Sequence, residues 1–273
     1  YQIKGRWYDA NLVRWVDGRL RPVGGWQRLS TSALTGKARA ILSWTDNSGD
    51  RWIGIGTSSN LYVSRADNSM YDITPAAFTT GGDDAAENLG YGGGNYGAGT
   101  YGTPRDGGTY TPPALWQLDN WGENLIGCAR QDGKIYEWSL NTANDAVQIT
   151  NSPTGCYGVM TTDQRHILAL GSGGNARRVK WCDKEDNTVW TPAATNEAGF
   201  LDLQTNGEIR RGLRVAKKNL IITTSDAHTM TFIGQPFIYN RERVGEDCGT
   251  VAPGSAISIG PLAFWMGAML PPV

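Results

Sequence analysis

The sequence predicts an all-β protein: a β-propeller, or a propeller-like array of small antiparallel sheets. Three observations predict it. First, four stretches each pair a stiff aliphatic run with a second, aromatic-bearing run across a short turn. They are Arg51–Ile55 with Leu61–Val63, Leu125–Cys128 with Lys134–Trp138, His166–Leu170 with Arg178–Trp181, and Leu220–Thr224 with Thr229–Ile233. Ile126, Leu168 and Ile221 mark the later copies at intervals of 42 and 53 residues. One small sheet cannot bury its apolar face alone, so a drifting repeat of this kind implies stacked neighbours. Second, 36 Gly, 11 Trp and 11 Tyr against 5 Phe suit tight turns and amphipathic ring anchors. Third, no stretch holds a helical period over three turns; Ala33–Ala40 and Asp84–Leu89 could each form at most one short turn.

Taken in order, residues 1–37 read as an entry segment. Asn11–Val16 is strand-like, Asp17-Gly18 signals a hairpin turn, and Gly24-Gly25 lets the backbone approach closely before Trp26 packs. Residues 38–273 read as the propeller-like domain. Ala38–Trp44 opens it as a strand, and Asp46–Asp50 turns into the first repeat. Between the first and second copies lies a Gly/Tyr-rich insertion at 81–112, with Tyr91, Tyr96, Tyr101 and Tyr110 spaced through it. It reads either as a surface insertion or as a loop that orders against a partner. Its Gly-x-Gly spacings are a by-product of glycine density, since a phosphate loop's Lys and helix are missing. A partial fifth copy sits at Ile257–Met266. The chain opens at Tyr1 without Met and closes on Pro271-Pro272-Val273, which reads as a processed or incompletely represented chain, its propeller unclosed by the residues present.

Charge is balanced, with 25 Lys+Arg and 26 Asp+Glu, so no global footprint for nucleic acid or anionic membrane appears. No apolar run approaches bilayer length, so stable membrane insertion is not expected. Cys128, Cys156, Cys182 and Cys248 lie too far apart for a close-spaced ligand pair and read as reduced, mostly buried thiols. Neither a metal nor any other cofactor is implied.

Catalytic patterns are weak. Acidic residues such as Asp46, Asp67, Asp132 and Asp183 fall in turns, where they cap the bend; a carboxylate pair of the glycosidase kind would need two of them facing across a cleft. Asp183–Asn187 lacks the spacing and glycine of a calcium loop. His166 and His228 have no glycine-flanked serine elbow to serve. The chain is therefore expected not to be an enzyme. Exposed Trp and Tyr could stack on saccharides, although eleven Trp in repeated β units also suit packing between sheets. The basic run Glu208–Arg214 places Arg210, Arg211 and Arg214 together as interface or channel candidates, with the four tyrosines above.

Arg178–Asp183 with Thr188–Gly199 resembles a stretch of the tail hub and nozzle (tail tubular) proteins of short-tailed bacteriophages. Gly5–Asp9, Val13–Gly18 with Gly24–Trp26, Ile233–Phe237 and Phe264–Gly267 resemble further segments in the same order. The resemblance implies a non-enzymatic virion component, assembled in the host cytoplasm. It implies a homo-oligomeric ring, a hexamer, around the DNA exit channel. Its partners would be adaptor, fibre or needle proteins, with genome DNA passing without sequence readout. The alternative expectation is a receptor- or polysaccharide-binding β protein, then a propeller glycosidase.

Overall fold

The structure, a computed structural model, describes residues 11–25, 32–87 and 110–267. The chain divides into two compact units, Tyr1–Ala33 and Leu34–Val273. In the first, strands β1 (Val13–Val16) and β2 (Arg19–Pro22) pair antiparallel. Asp17 and Gly18 join them, both with positive φ (52° and 72°), the geometry of the primed two-residue turn that matches strand twist.

The second unit is all β. β3 (Ala38–Thr45), β4 (Arg51–Thr57), β5 (Leu61–Arg65) and β6 (Met70–Asp72) form a first meander sheet. Asp46 fixes its opening turn, accepting from the Ser48 and Asp50 amides at 2.9 Å each and from Trp52 Nε1 at 3.0 Å. β7 (Ala86–Glu87) and β8 (Tyr110–Thr111) pair at the two ends of the Gly/Tyr-rich segment. A second meander follows: β9 (Trp116–Trp121), β10 (Asn124–Ala129), β11 (Ile135–Trp138) and β12 (Val147–Gln148). The third comprises β13 (Gly158–Thr161), β14 (Ile167–Leu170), β15 (Arg178–Trp181) and β16 (Gly199–Asp202). The fourth comprises β17 (Ile209–Val215), β18 (Lys218–Thr223), β19 (Ala227–Gly234) and β20 (Ile238–Gly245), and a hairpin, β21 (Ala256–Ile259) and β22 (Leu262–Trp265), ends the row.

The strand runs quoted from the sequence are near-continuously apolar because each middle sheet is covered on both faces. Alternate residues of a strand point to opposite sides. Leu125 therefore joins Trp44, Trp52 and Val63 of the first sheet, while Ile126 joins Val159 and Ile167 of the third. Leu168 and Leu170 likewise pack with Ile221 and Met230 of the fourth sheet. Leu220 and Ile222 face the terminal hairpin through Ala256 and Trp265. Trp52 and Trp138 meet edge to face at 5.3 Å between centroids, which locks the first sheet to the second.

Backbones also touch directly. A Cβ on Gly133 would lie 2.9 Å from Gly155 Cα, and one on Gly155 would lie 2.9 Å from the Gly174 nitrogen. All three residues have positive φ, and the Cys156 amide donates to the Gly133 carbonyl at 2.9 Å. Glycine is required at 133 and 155 twice over, by backbone conformation and by space, and favoured at 174 by conformation alone.

The expected propeller is not what the chain forms. The second unit consists of six separate small antiparallel sheets among the described residues, none closed into a barrel and none curled into a propeller. A propeller needs its last sheet to meet its first. Here the principal contacts join each sheet to its neighbour along the chain, and the row ends in a hairpin of two strands where the earlier repeats have four. The local repeat was legible, but closure is a long-range property that no single copy encodes.

Candidate functional site

The first strands of the second, third and fourth sheets, β9, β13 and β17, lie side by side, and polar side chains cross between them. Gln117 of β9 passes over Gly158 of β13, where any Cβ would fall 2.3 Å from the Gln117 amide carbon. Its Nε2 reaches the Arg210 carbonyl of β17 at 2.9 Å. Two residues on, Asp119 makes the same crossing. Asp119 Oδ2 accepts from the Thr161 amide at 2.8 Å and from Thr161 Oγ1 at 2.9 Å, and Oδ1 accepts from Arg214 Nη2 at 2.8 Å. A buried carboxylate is stable only when its lone pairs are occupied, and these are.

Beyond Asp119 the C-terminal ends of these strands open into a cleft of about 270 Å³. Four successive sheets contribute to it. Trp44 and Thr45 come from the first, Asn120, Trp121 and Gly122 from the second, Thr161, Thr162 and Arg165 from the third, and Arg214 from the fourth. Trp121 is oriented by its Nε1, which donates to the Arg165 carbonyl at 3.1 Å, while the Arg165 guanidinium lies over the Trp121 ring at 5.5 Å. Trp44 is fixed by donating to the Glu123 carbonyl at 2.9 Å. Asn120 Nδ2 is buried with no acceptor among the described residues. The lining is thus two indoles, hydroxyls, an amide donor and two guanidiniums, with no carboxylate among them.

A buried chain supports the cleft floor. Thr162 Oγ1 accepts from the His166 amide at 3.1 Å and lies 3.3 Å from the Tyr239 hydroxyl. That hydroxyl is 2.7 Å from His166 Nδ1, and His166 Nε2 is 3.2 Å from Glu197 Oε2, close but not aligned as a hydrogen bond. Burial pushes the His166 imidazole below its usual pKa; the Glu197 carboxylate opposes the shift without cancelling it. Burial also raises the Tyr239 phenol. The imidazole is therefore neutral, a fixed hydrogen-bonding strut at physiological pH.

The residues singled out from the sequence separate. Tyr91, Tyr96 and Tyr101 lie outside the described residues, and Tyr110 pairs with Glu87 in β8. Arg210 pairs with Glu208 at 2.7 Å, which also holds Arg130 at 3.0 Å. Arg211 makes no ion pair among the described residues, and burial lowers its guanidinium pKa. Only Arg214 reaches the cleft. Asp119, Asn120, Trp121, Thr162, Arg165 and Tyr239 carried no sequence signal, because each is an ordinary strand or turn residue until the sheets stack.

Other chemistry is not assembled. Among the described residues no group of three or more His, Cys, Asp or Glu could hold a metal ion. Asp183 Oδ1 accepts from the Lys184 and Glu197 amides and Asp186 Oδ1 from the Thr188 amide, so each carboxylate braces local backbone. His228 Nε2 lies 3.1 Å from Asp226 Oδ2. That pair is buried, and Thr205 and Thr223 occupy the other oxygen.

No protein-family model matches the chain, and no curated protein matches it. Similar solved structures include two of the extracellular domain of one B. thetaiotaomicron protein. One is described as a hybrid two-component system (12% identity, TM-score 0.35, 81% of this chain and 30% of that one) and the other as a one-component system (11%, 0.34, 80% and 29%). The chain spans about 30% of their length, and a likeness of that size assigns no activity.

The tail-protein reading is corrected. The propeller that reading implied does not form, and the similar structures reported above are described as extracellular domains, not as hub or nozzle proteins of a virion tail. The hexameric ring, the adaptor, fibre and needle partners and the passage of genome DNA fall with it, as does assembly in a host cytoplasm. The physical reason is visible in the arginines. Arg210 is paired with Glu208 inside the same chain, Arg211 is largely buried, and the sheets do not close around a channel.

Proposed function

We propose that the chain is a non-catalytic, receptor-type β module that binds a polar ligand of saccharide size in the Trp44/Trp121 cleft. The observation that carries this reading is the convergence of four sheets on one concave site lined by two indoles and several hydrogen-bonding groups. Binding sites combine apolar ring surface with a few placed polar groups, and cavities of roughly 300–1,000 Å³ suit small ligands. At about 270 Å³ this one lies at the lower edge of that range, the scale of a small polar ligand. An indole face covers the apolar C–H face of a pyranose, while Asn120, Thr162 and the guanidiniums supply directed hydrogen bonds. No bond-breaking step belongs to this function.

The test is calorimetric titration of the purified chain with a panel of neutral and acidic oligosaccharides, repeated with Trp121→Ala. Saturable binding that Trp121→Ala weakens at least about tenfold is expected, the scale of one well-packed aromatic anchor. Binding that is absent across the panel, or indifferent to Trp121, overturns the reading.

A further inference from the structure

The cleft is unbalanced in hydrogen-bond character. Arg214 uses one terminal nitrogen on Asp119, and its side chain is still 45% exposed. Arg165 is 50% exposed and only loosely paired, its Nε 3.8 Å from Glu185 Oε1. A guanidinium carries five donors in a planar fork, so each retains donors to spare. Asn120 adds an amide nitrogen that is buried with no partner among the described residues. Acceptors are scarce by comparison. Asp119 is the carboxylate nearest the cleft floor, and both its oxygens are spent on Thr161, Arg214 and the Asn120 amide. Glu123 directs Oε2 to the Asn47 amide at 3.2 Å, leaving only its carbonyl for Trp44.

The donors are also held in place. Arg165 has a positive φ of 66°, and its carbonyl is gripped by both Trp121 Nε1 and the Glu185 amide (3.2 Å). Its guanidinium rests over the Trp121 ring. Arg214 is oriented by an aspartate that is itself pinned to β13. Donors arranged before a ligand arrives lose little freedom on binding, which favours an acceptor-rich, negatively charged group.

We infer that the cleft selects an anionic saccharide, with the oxyanion of a carboxylate or sulfate ester bound between Arg165 and Arg214 and the sugar set beside Trp121. The inference rests on the saccharide-binding reading above and names the ligand class of that same site. Its test is calorimetric titration with three probes: tetragalacturonic acid, its fully methyl-esterified form, and a sulfated neutral tetrasaccharide. Each probe is titrated at about 50 and 300 mM salt. An anionic probe is expected to bind about ten- to hundredfold more tightly than the ester, the scale of one charge-assisted hydrogen-bonded pair, and to weaken as salt rises. The two anionic arms separate carboxylate from sulfate. Arg165→Gln, at an exposed and loosely paired position, is expected to weaken the anionic probe at least about tenfold more than it weakens the ester, erasing most of the preference. Arg214→Gln is read in parallel, with circular dichroism confirming its fold. Equal affinity for acid and ester overturns the inference and leaves saccharide binding standing. Binding of none of the three probes overturns both.

Discussion

Replacing Asp119 with Ala removes one carboxylate and four hydrogen bonds at once. Thr161 is 2% exposed, so its amide and hydroxyl lose their acceptor where water cannot replace it. Bonds to a charged partner each contribute about 1.5–3 kcal/mol. The Arg214 ion pair adds less, about 1 kcal/mol or under, because that guanidinium is nearly half exposed and screened by solvent. Relief of the carboxylate's own desolvation offsets part of the total, so a net loss of about 3–5 kcal/mol is expected, in the range seen when a buried pair is broken on one side. Asp119→Asn keeps an acceptor for Thr161 and gives up the charge, so it should lose only about 1–2 kcal/mol. Urea unfolding followed by tryptophan fluorescence measures both against the parent chain. A loss below about 1 kcal/mol for the Ala variant, or equal losses for Ala and Asn, would refute the claim that the Thr161 bonds carry the crossing.

Gly158→Ala should drive Gln117 off the Arg210 carbonyl and lose about 1–2 kcal/mol, with the Gly158→Ala/Gln117→Ala double variant recovering part of it; additive losses in a double-mutant cycle would contradict the crossing. His166 gives a signed pH dependence. Its folded pKa is depressed, so in the window just below about 6.5 the unfolded chain binds a proton that the folded chain refuses. Stability is therefore complete above that window and lost as pH falls through it. Melting temperatures between pH 5 and 8 should show the slope, and His166→Gln should flatten it; an unchanged slope would count against the neutral strut. Burial raises the thiols of Cys156 and Cys182 to about 12 and holds that of Cys128 well above its usual value, whereas Cys248 is only partly buried. A thiol reagent should label Cys248 alone in the native protein, as mass spectrometry of tryptic peptides can check, and rapid labelling of Cys128 would contradict the packing.

The short-range content of this fold was legible in the chain and the long-range content was not. Leu125–Cys128 and His166–Leu170 announce strands because aliphatic runs bounded by turn residues have few other uses. That Leu125 and Ile126 serve two different cores could not be read from them, since both are simply apolar. The same limit explains the site. Arg210, Arg211 and Arg214 stand out as a basic run, yet the structure gives them three different surroundings, and only Arg214 meets the cleft. Asp119-Asn120-Trp121 is an unremarkable strand end whose meaning depends on Thr161 arriving from 42 residues later. The chance order of aromatic motifs suggested a tail protein; such motifs recur wherever small sheets stack, so their order alone could not identify one.

The glycines at 133, 155 and 174 have a consequence for how this protein can change over time. Positions 133 and 155 each face the main chain of the next glycine, and 174 needs glycine through its positive φ. A side chain at 155 meets backbone at 174, and one at 133 meets backbone at 155. No single substitution can open room for another, because the obstacle in each case is main chain rather than a side chain that could be trimmed. Three turns distant in sequence are thereby tied into one heritable unit. Descendants of this chain should keep all three, or replace the loops between the second and third sheets wholesale.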